Sequence, residues 1–256
     1  MSFISLLNSE LKKLRRSKML LILFVGTMIL WVPSIINADL NFNMQDIGIL
    51  PENNFFIQGF MGMSWFMLPA CMVVVTVLLN QTEKSNNGII KLLSLPINTG
   101  KVSFAKFIVL VGMCAAQITM MVAVYYFSAF IAGQINDYNF ILPFLFVIKS
   151  ALKIFVSTLP MLSFFWMLSV CISTPVFSVG IGLASVVLSV ILLNTKVWYL
   201  YPMCYPFYFI MTEQSKMAEN IQSQSFDLVH LLPVAVVYFI VFLAVACIQF
   251  GKAERK

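Results

Sequence analysis

The sequence predicts an all-α membrane protein with six transmembrane helices. Of its 256 residues, 61% are hydrophobic and only 10% are charged, and the mean hydropathy is +0.94. Soluble domains carry roughly 25% charged residues, and a soluble core of this length cannot hide so much apolar surface. Six apolar runs are each long enough to cross a bilayer. The predicted spans are residues 19–37, 57–79, 105–132, 154–172, 176–194 and 231–250.

Short connections between these runs leave no room for a soluble domain of ordinary size, so residues 1–256 are predicted to form a single transmembrane domain. The five cysteines are scattered and include no C-x-x-C pair, which argues against a disulfide framework and against a zinc site. The apolar run near the N-terminus has the length of a full span, so cleavage as a signal peptide is not expected.

Residues 1–18 precede the first span and predict an amphipathic helix in the membrane interface. Apolar residues recur there at helical spacing, and basic residues collect near its end, where anionic headgroups would attract them. The apolar set is Ile4, Leu7, Leu11 and Leu14, and the basic set is Lys12, Lys13, Arg15 and Arg16.

Two segments between the spans need separate interpretations. Residues 140–153 predict an interfacial or outer-leaflet helix that leads into the fourth span, and one long tilted helix from residue 140 is the alternative. Its lysines, Lys149 and Lys153, share a helix face, and we expect them to snorkel to the outer headgroups or to hold an anionic lipid group. The aromatic, proline-broken stretch after the fifth span predicts a re-entrant or interfacial segment.

Positive charge lies mainly on one side of the predicted spans. The side that contains both termini carries twelve of the sixteen lysine and arginine residues, and the opposite side has a net charge of −3. Because lysine and arginine concentrate in cytoplasmic loops, both termini are predicted to be cytoplasmic.

The sequence lacks the common motifs for nucleotide binding and for metal-dependent catalysis. It contains no G-x-x-x-x-G-K-[ST] and no H-E-x-x-H, and its one histidine is His230. No predicted span has an acidic residue at its centre, which argues against an ion-coupled carrier. We therefore predict no catalytic, cofactor-binding or metal site, and a membrane-embedded enzyme is disfavoured.

The loop after the second span is the most distinctive segment on the predicted cytoplasmic side. Its sequence, EKSNNGIIKLLSLP from Glu83 to Pro96, fits a short helix with one apolar face that contains Ile89, Leu92 and Leu93. Such a helix, held parallel to the membrane, suits the docking of a soluble partner. An interfacial helix without a partner fits equally well.

This loop, together with the N-terminal helix and six spans, resembles the permease subunits of ABC-2 type ABC transporters. The resemblance implies that the loop is a coupling helix in a cleft of an ABC ATPase subunit, and that ATP and Mg²⁺ bind only to that partner. A second permease subunit, either different or identical, is also implied. Thr99 stands where the family often has a basic residue. The residues assigned to coupling are Glu83, Lys84, Asn87, Gly88, Ile89, Lys91, Leu92, Leu93 and Pro96.

In its small size and in the sequence of this loop, the chain looks most like the permeases of lantibiotic self-immunity transporters, which lie in the membranes of bacterial cells. That resemblance implies expulsion of an amphipathic antimicrobial peptide. The membrane lipid is a further expected partner, and nucleic acid is not. Residues assigned to an outer lobe that could touch the substrate are Trp198, Tyr201, Tyr205, Tyr208 and Glu213.

Other functions remain open from the sequence. The outer lobe also fits an ordinary interfacial aromatic belt. The whole chain also fits a membrane anchor or sensor of an antibiotic-response complex, or an ABC-2 exporter of another hydrophobic substrate. Small residues on the fifth span predict close helix packing, either within the chain or against a second permease. They are Ser178, Gly180, Gly182, Ala184, Ser185 and Ser189.

Overall fold

The regular structure of this protein is helical throughout the residues that the computed structural model describes, which are 3–15, 17–84, 98–217 and 228–253. The helices are α1 (Phe3–Arg15), α2 (Met19–Ile36), α3 (Pro51–Gly62), α4 (Leu68–Lys84), α5 (Thr99–Asn136), α6 (Phe144–Cys171), α7 (Pro175–Leu193), α8 (Tyr205–Met217) and α9 (Leu228–Ala253). A π-helical turn, Met63–Met67, joins α3 to α4. Short 3-10 turns occupy Ala38–Ile47, Trp198–Leu200 and Pro202–Cys204.

Six helical stretches are long and apolar enough to cross a membrane, which confirms the predicted number. They are Met19–Ile36, Pro51–Gln81, Thr99–Asn136, Phe144–Cys171, Pro175–Leu193 and His230–Phe250. Several extend well past the predicted spans, and α5 alone has 38 residues. Apolar windows detect only the part of a helix that lipid surrounds, whereas the helix continues through polar residues at both ends.

The segment over residues 140–153 differs from its prediction. Helix α6 runs from Phe144 to Cys171 without a break, so the separate interfacial helix is wrong, and the alternative of one long helix holds from Phe144 onward. Pro143, with φ fixed near −55°, stands at the N-cap of this helix. Lys149 and Lys153 are both exposed on it, and lysine is a good helix former that does not interrupt a helix.

An even number of spanning helices brings α1 and the last turns of α9 to one end of the bundle, which we call the α1 end. The connection from α4 to α5 lies at this end too. The opposite end, which we call the distal end, holds the connections at residues 37–50, 137–143 and 194–204.

An aromatic core fills the distal half of the bundle. The ring of Trp31, which is fully buried, lies 5.6 Å from the ring of Tyr125 and 5.8 Å from that of Phe55. Gly59 permits this packing, because a Cβ atom there would lie 2.3 Å from the Trp31 ring. The Tyr125 hydroxyl donates to the Phe140 carbonyl oxygen and accepts from the amide of the second residue beyond it, so it fixes the α5–α6 connection.

The small residues of α7 divide between two faces. Ser178, Gly182 and Ser189 are buried, and a Cβ atom at Gly182 would lie 2.7 Å from Val73 of α4. Close packing within the chain therefore accounts for this face. Gly180 and Ala184 lie on the exposed face, with open space beside Gly180.

Candidate functional site

The loop predicted to dock a partner begins and ends at the α1 end. Glu83 and Lys84 form the last turn of α4, and helix α5 begins at Thr99. The other residues assigned to coupling lie outside the described residues: Asn87, Gly88, Ile89, Lys91, Leu92, Leu93 and Pro96. What the structure describes is how the two flanks of the loop are held.

The start of α5 is fixed locally by a cap and by close packing. The Asn98 side-chain oxygen accepts a hydrogen bond of 2.9 Å from the Gly100 amide, which satisfies one of the unpaired donors of the first turn. A Cβ atom at Gly100 would lie 3.6 Å from the Cys247 carbonyl oxygen, so this turn lies close to α9.

A buried ion pair joins α1 to α5. The Lys106 ammonium lies 2.9 Å from Oε2 of Glu10, and the two side chains are 0% and 1% exposed. The other carboxylate oxygen of Glu10 accepts from Lys13, which is 44% exposed. Because a charge removed from water is costly unless it is paired, these contacts hold α1 against the bundle in one register.

Both flanks of the loop also hydrogen-bond to α6. Asn80, one turn before the end of α4, donates from its side-chain amide to the Ser169 carbonyl oxygen. Trp166 donates from its indole nitrogen to the Ser103 hydroxyl of α5 at 3.0 Å. All four residues are buried. Together with the ion pair they form the α1-end polar cluster, defined as Glu10, Asn80, Ser103, Lys106, Trp166 and Ser169.

Four helices meet in this cluster, and two of them flank the loop. A displacement of either flank cannot occur without moving α6 or breaking a buried hydrogen bond, which costs about 1–3 kcal/mol for each group left unpaired. The arrangement is suited to passing a mechanical displacement from the loop to several spans at once.

The five residues assigned to an outer lobe lie at the distal end, where α8 packs beside α3 and α6. Tyr201 donates to the Ser185 carbonyl oxygen at 2.7 Å, and Tyr205, fully buried, donates to the Tyr199 carbonyl oxygen at 2.6 Å. Burial raises the pKa of both phenols, so they remain protonated donors. These two tyrosines hold the lobe together.

Glu213 carries the acidic charge of the lobe and is already paired. Its side chain is 9% exposed, and one of its carboxylate oxygens lies 3.4 Å from the Lys153 ammonium and 3.1 Å from that of Lys216. Lys153 also lies over the Phe209 ring, 5.0 Å from its centroid. The carboxylate therefore joins α8 to α6.

Trp198 and Tyr208 are the lobe residues that border open space. Their rings are stacked, with centroids 3.6 Å apart, and they line a cavity of about 390 Å³ that also contacts Asn194, Thr195 and Lys196. Of the five assigned residues, the structure thus brings two to a cavity and three into the packing of the lobe. Whether any of them touches a substrate stays a prediction.

A hydrogen bond between the α5–α6 connection and α3 also stabilises the distal end. Tyr138, in the α5–α6 connection, donates from its hydroxyl to Oε2 of Glu52 at the start of α3. Burial, followed by this hydrogen bond to the carboxylate, raises the pKa of Tyr138 to about 12. The phenol therefore keeps its proton at neutral pH.

Sequence reasoning missed the Glu10–Lys106 pair. A signal was present, because Glu10 is the only acidic residue before Asp39 and lies four residues from both Leu6 and Leu14 on α1. An acidic residue with apolar neighbours one turn away on each side indicates a paired charge inside the bundle. The buried face of α1 also differs from the predicted apolar set: Leu6, which was not in that set, is buried, whereas Ile4 and Leu11, which were, are exposed.

Within the described part of the chain, no group of three or more His, Cys, Asp or Glu residues could hold a metal ion. A family model for ABC-2 family transporter proteins matches residues 6–190. That stretch includes most of α1, all of α2 to α6, the whole loop between α4 and α5, and most of α7. No curated protein and no solved structure matches the chain.

Proposed function

Because the chain belongs to the ABC-2 family of transporter proteins and is a multi-pass membrane permease, we propose that it expels an amphipathic antimicrobial peptide, as lantibiotic self-immunity transporters do. Membership of this family implies an ABC ATPase partner in general. The observation that carries the transport function is the family match over residues 6–190. The small size of the chain and the amino-acid sequence of the loop support a peptide substrate.

The proposed mechanism begins at the loop between α4 and α5. When two ATPase subunits bind ATP and close, the loop is displaced, and Glu83, Leu92 and their neighbours receive the force. The α1-end polar cluster passes this displacement to α1, α5 and α6 because its hydrogen bonds and its ion pair are buried. The spans then change from one packing to another as rigid bodies. ATP and Mg²⁺ remain on the partner throughout.

In this proposal the α1 end faces the cytoplasm of a bacterial cell. Twelve of the sixteen lysine and arginine residues support this orientation. α1 then lies in the inner membrane interface, with its exposed Ile4 and Leu11 directed to lipid. A second permease, different from this chain or a copy of it, completes the transport path.

We place peptide contact at the distal cavity. Glu213 already pairs with two lysines, so we assign contact with a cationic peptide to the faces of Trp198 and Tyr208, which attract cations. Lys196 also lines this cavity, and its long exposed stem can carry the ammonium into water.

The experiment that tests the proposal is a pull-down of the full chain, in detergent, with all proteins expressed from its operon. We expect recovery of an ATPase, and loss of that ATPase when Glu83→Ala and Leu92→Ala are combined. Recovery of a second permease would support the two-permease assembly. A stable chain that captures no ATPase contradicts the proposed coupling and favours an anchor or sensor.

A matched control lies at the opposite end of the bundle. The pair Trp198→Ala and Tyr208→Ala should leave ATPase recovery unchanged, because these residues are distant from the loop. The same pair should lower resistance of cells to a lantibiotic. Unchanged resistance in cells that contain the assembled variant would exclude the distal cavity as the peptide site.

A further inference from the structure

A groove opens between α5 and α6 toward the lipid. Its volume is about 230 Å³, and its walls include Ala115 and Val122 of α5 and Ile148, Ala151 and Phe155 of α6. From the level of Ile148 to that of Phe155 the groove is roughly 10 Å long, given the rise of an α-helix. The only hydroxyl in its wall donates to a carbonyl of its own helix, so the lining is apolar.

The two helices α5 and α6 contact each other on either side of the groove, toward the α1 end and toward the distal end. Toward the α1 end, the Cys114 sulfur lies 3.5 Å from the Thr158 hydroxyl oxygen. Toward the distal end, Tyr125 and Tyr126 hydrogen-bond to the α5–α6 connection. Between these two contacts Ala115 and Ala151 are too small to fill the space. The groove is therefore built into the packing of the two helices.

Lys149 directly follows Ile148, which lines the groove near the distal end of α6, and it precedes the lining residue Leu152 by three positions, so it stands beside the groove at that level. It is exposed and has no ion-pair partner among the residues that the structure describes. It lies in the second turn of α6, within an apolar spanning helix. A lysine in this position extends its stem toward the nearer interface and holds its ammonium at the level of the lipid headgroups.

Lys153, one turn further along the same helix, differs from Lys149 because its charge is paired within the protein. Its ammonium lies 3.4 Å from Glu213 and over the Phe209 ring. The charge of Lys153 is thus neutralised by α8, whereas that of Lys149 faces the headgroup region. An apolar groove with a lysine beside its distal end, unpaired within the described part of the chain, is complementary to an anionic lipid.

We propose that the α5–α6 groove and Lys149 form a binding site for an anionic phospholipid of the distal leaflet. One acyl chain lies in the groove between Ala115 and Ala151, and the phosphate lies beside the Lys149 ammonium. The N-terminal half of α6, whose helix dipole is positive at this end, favours the same charge. This site is independent of the peptide substrate and of the ATPase.

The test reconstitutes the full chain in nanodiscs that contain equal amounts of phosphatidylglycerol and phosphatidylcholine. The chain is then extracted in mild detergent, and mass spectrometry measures the lipids that remain bound. We expect phosphatidylglycerol to be enriched about fivefold, which matches the attraction of one lysine to anionic lipid. Lys149→Gln should bring the ratio of the two lipids close to one, and Lys149→Arg should keep the enrichment.

Two further variants separate the groove from general surface charge. Ala151→Leu should fill the groove and lower the number of bound lipids per chain. Lys196→Gln removes another exposed distal lysine outside the groove and should leave the enrichment unchanged. Each variant is first shown to elute as a single species in size exclusion.

Two outcomes would overturn the proposal. One is an enrichment that survives Lys149→Gln. The other is a chain that loses a dimeric species on Ala151→Leu while it retains the same lipids, because a second copy of the chain would then occupy the groove.

Discussion

The two ends of the helix bundle are held together by different interactions. At the α1 end, a buried ion pair and two buried side-chain hydrogen bonds join α1, α4, α5 and α6. At the distal end, stacked rings join α8 to the turn before it, and tyrosine hydroxyls join that turn to α7 and the α5–α6 connection to α3. The lysines paired with Glu213 there are about half exposed. Buried charge fixes one geometry, whereas exposed lysines tolerate several.

This difference matches the role proposed for each end. A mechanical input needs a connection that does not yield, because any slack would absorb the displacement before the spans move. A binding surface for an amphipathic molecule needs side chains that can adapt. The comparison teaches that polar residues within the same membrane protein can serve rigidity at one end and contact at the other.

Removal of the buried charge should have the largest effect. Glu10→Gln takes the carboxylate from the buried Lys106 ammonium and should lower the free energy of unfolding by about 3–5 kcal/mol. Denaturant unfolding in mixed micelles measures the change. The double variant Glu10→Met, Lys106→Met should recover much of it, since no buried charge remains. A single variant as stable as the double would show that the pair does not hold α1.

Disruption of the close packing in the distal half should give the second largest loss of stability. Gly59→Ala forces a Cβ atom into the ring of Trp31 and should cost about 1–3 kcal/mol through overpacking. Gly112→Ala is the matched control, because a Cβ atom there meets nothing within 4 Å. It should leave stability unchanged or raise it by up to about 1 kcal/mol. Equal losses for both glycines would contradict the packing argument.

A single hydrogen bond at each end sharpens the comparison. Ser103→Ala leaves the indole nitrogen of the fully buried Trp166 without its acceptor and should cost about 2 kcal/mol. Tyr201→Phe removes a hydroxyl from the distal end and should cost about 1 kcal/mol. Thermal unfolding in one detergent compares them. In the assembled transporter, Ser103→Ala should also lower transport per ATP hydrolysed, and Tyr201→Phe should not.

The exposed ion pair should show the smallest effect. Lys153→Gln removes one of two lysines from Glu213, and because Lys153 is 53% exposed the loss should be about 1 kcal/mol or less. High salt should reduce the difference between the variant and the original chain further. A loss as large as that from Glu10→Gln would remove the distinction between the two ends.

Much of the fold follows from the sequence, and the reason is specific to membranes. Without water, each spanning segment must satisfy its own backbone, so an apolar run of sufficient length has to be a helix. Lys149 and Lys153 misled the prediction at α6 because they looked like the end of an apolar segment. In the structure one lysine is free to snorkel and the other pairs with Glu213, so α6 continues past both.

The sequence by itself determined the number of spanning helices and the family, because hydropathy and local motifs are recognised without knowing which residues pack against them. Only the tertiary structure decided which polar residues inside the bundle meet. Glu10 and Lys106 are 96 residues apart, and Lys153 and Glu213 are 60 apart. No local pattern joins such pairs, since helix packing alone determines which faces come together and which charges leave the lipid.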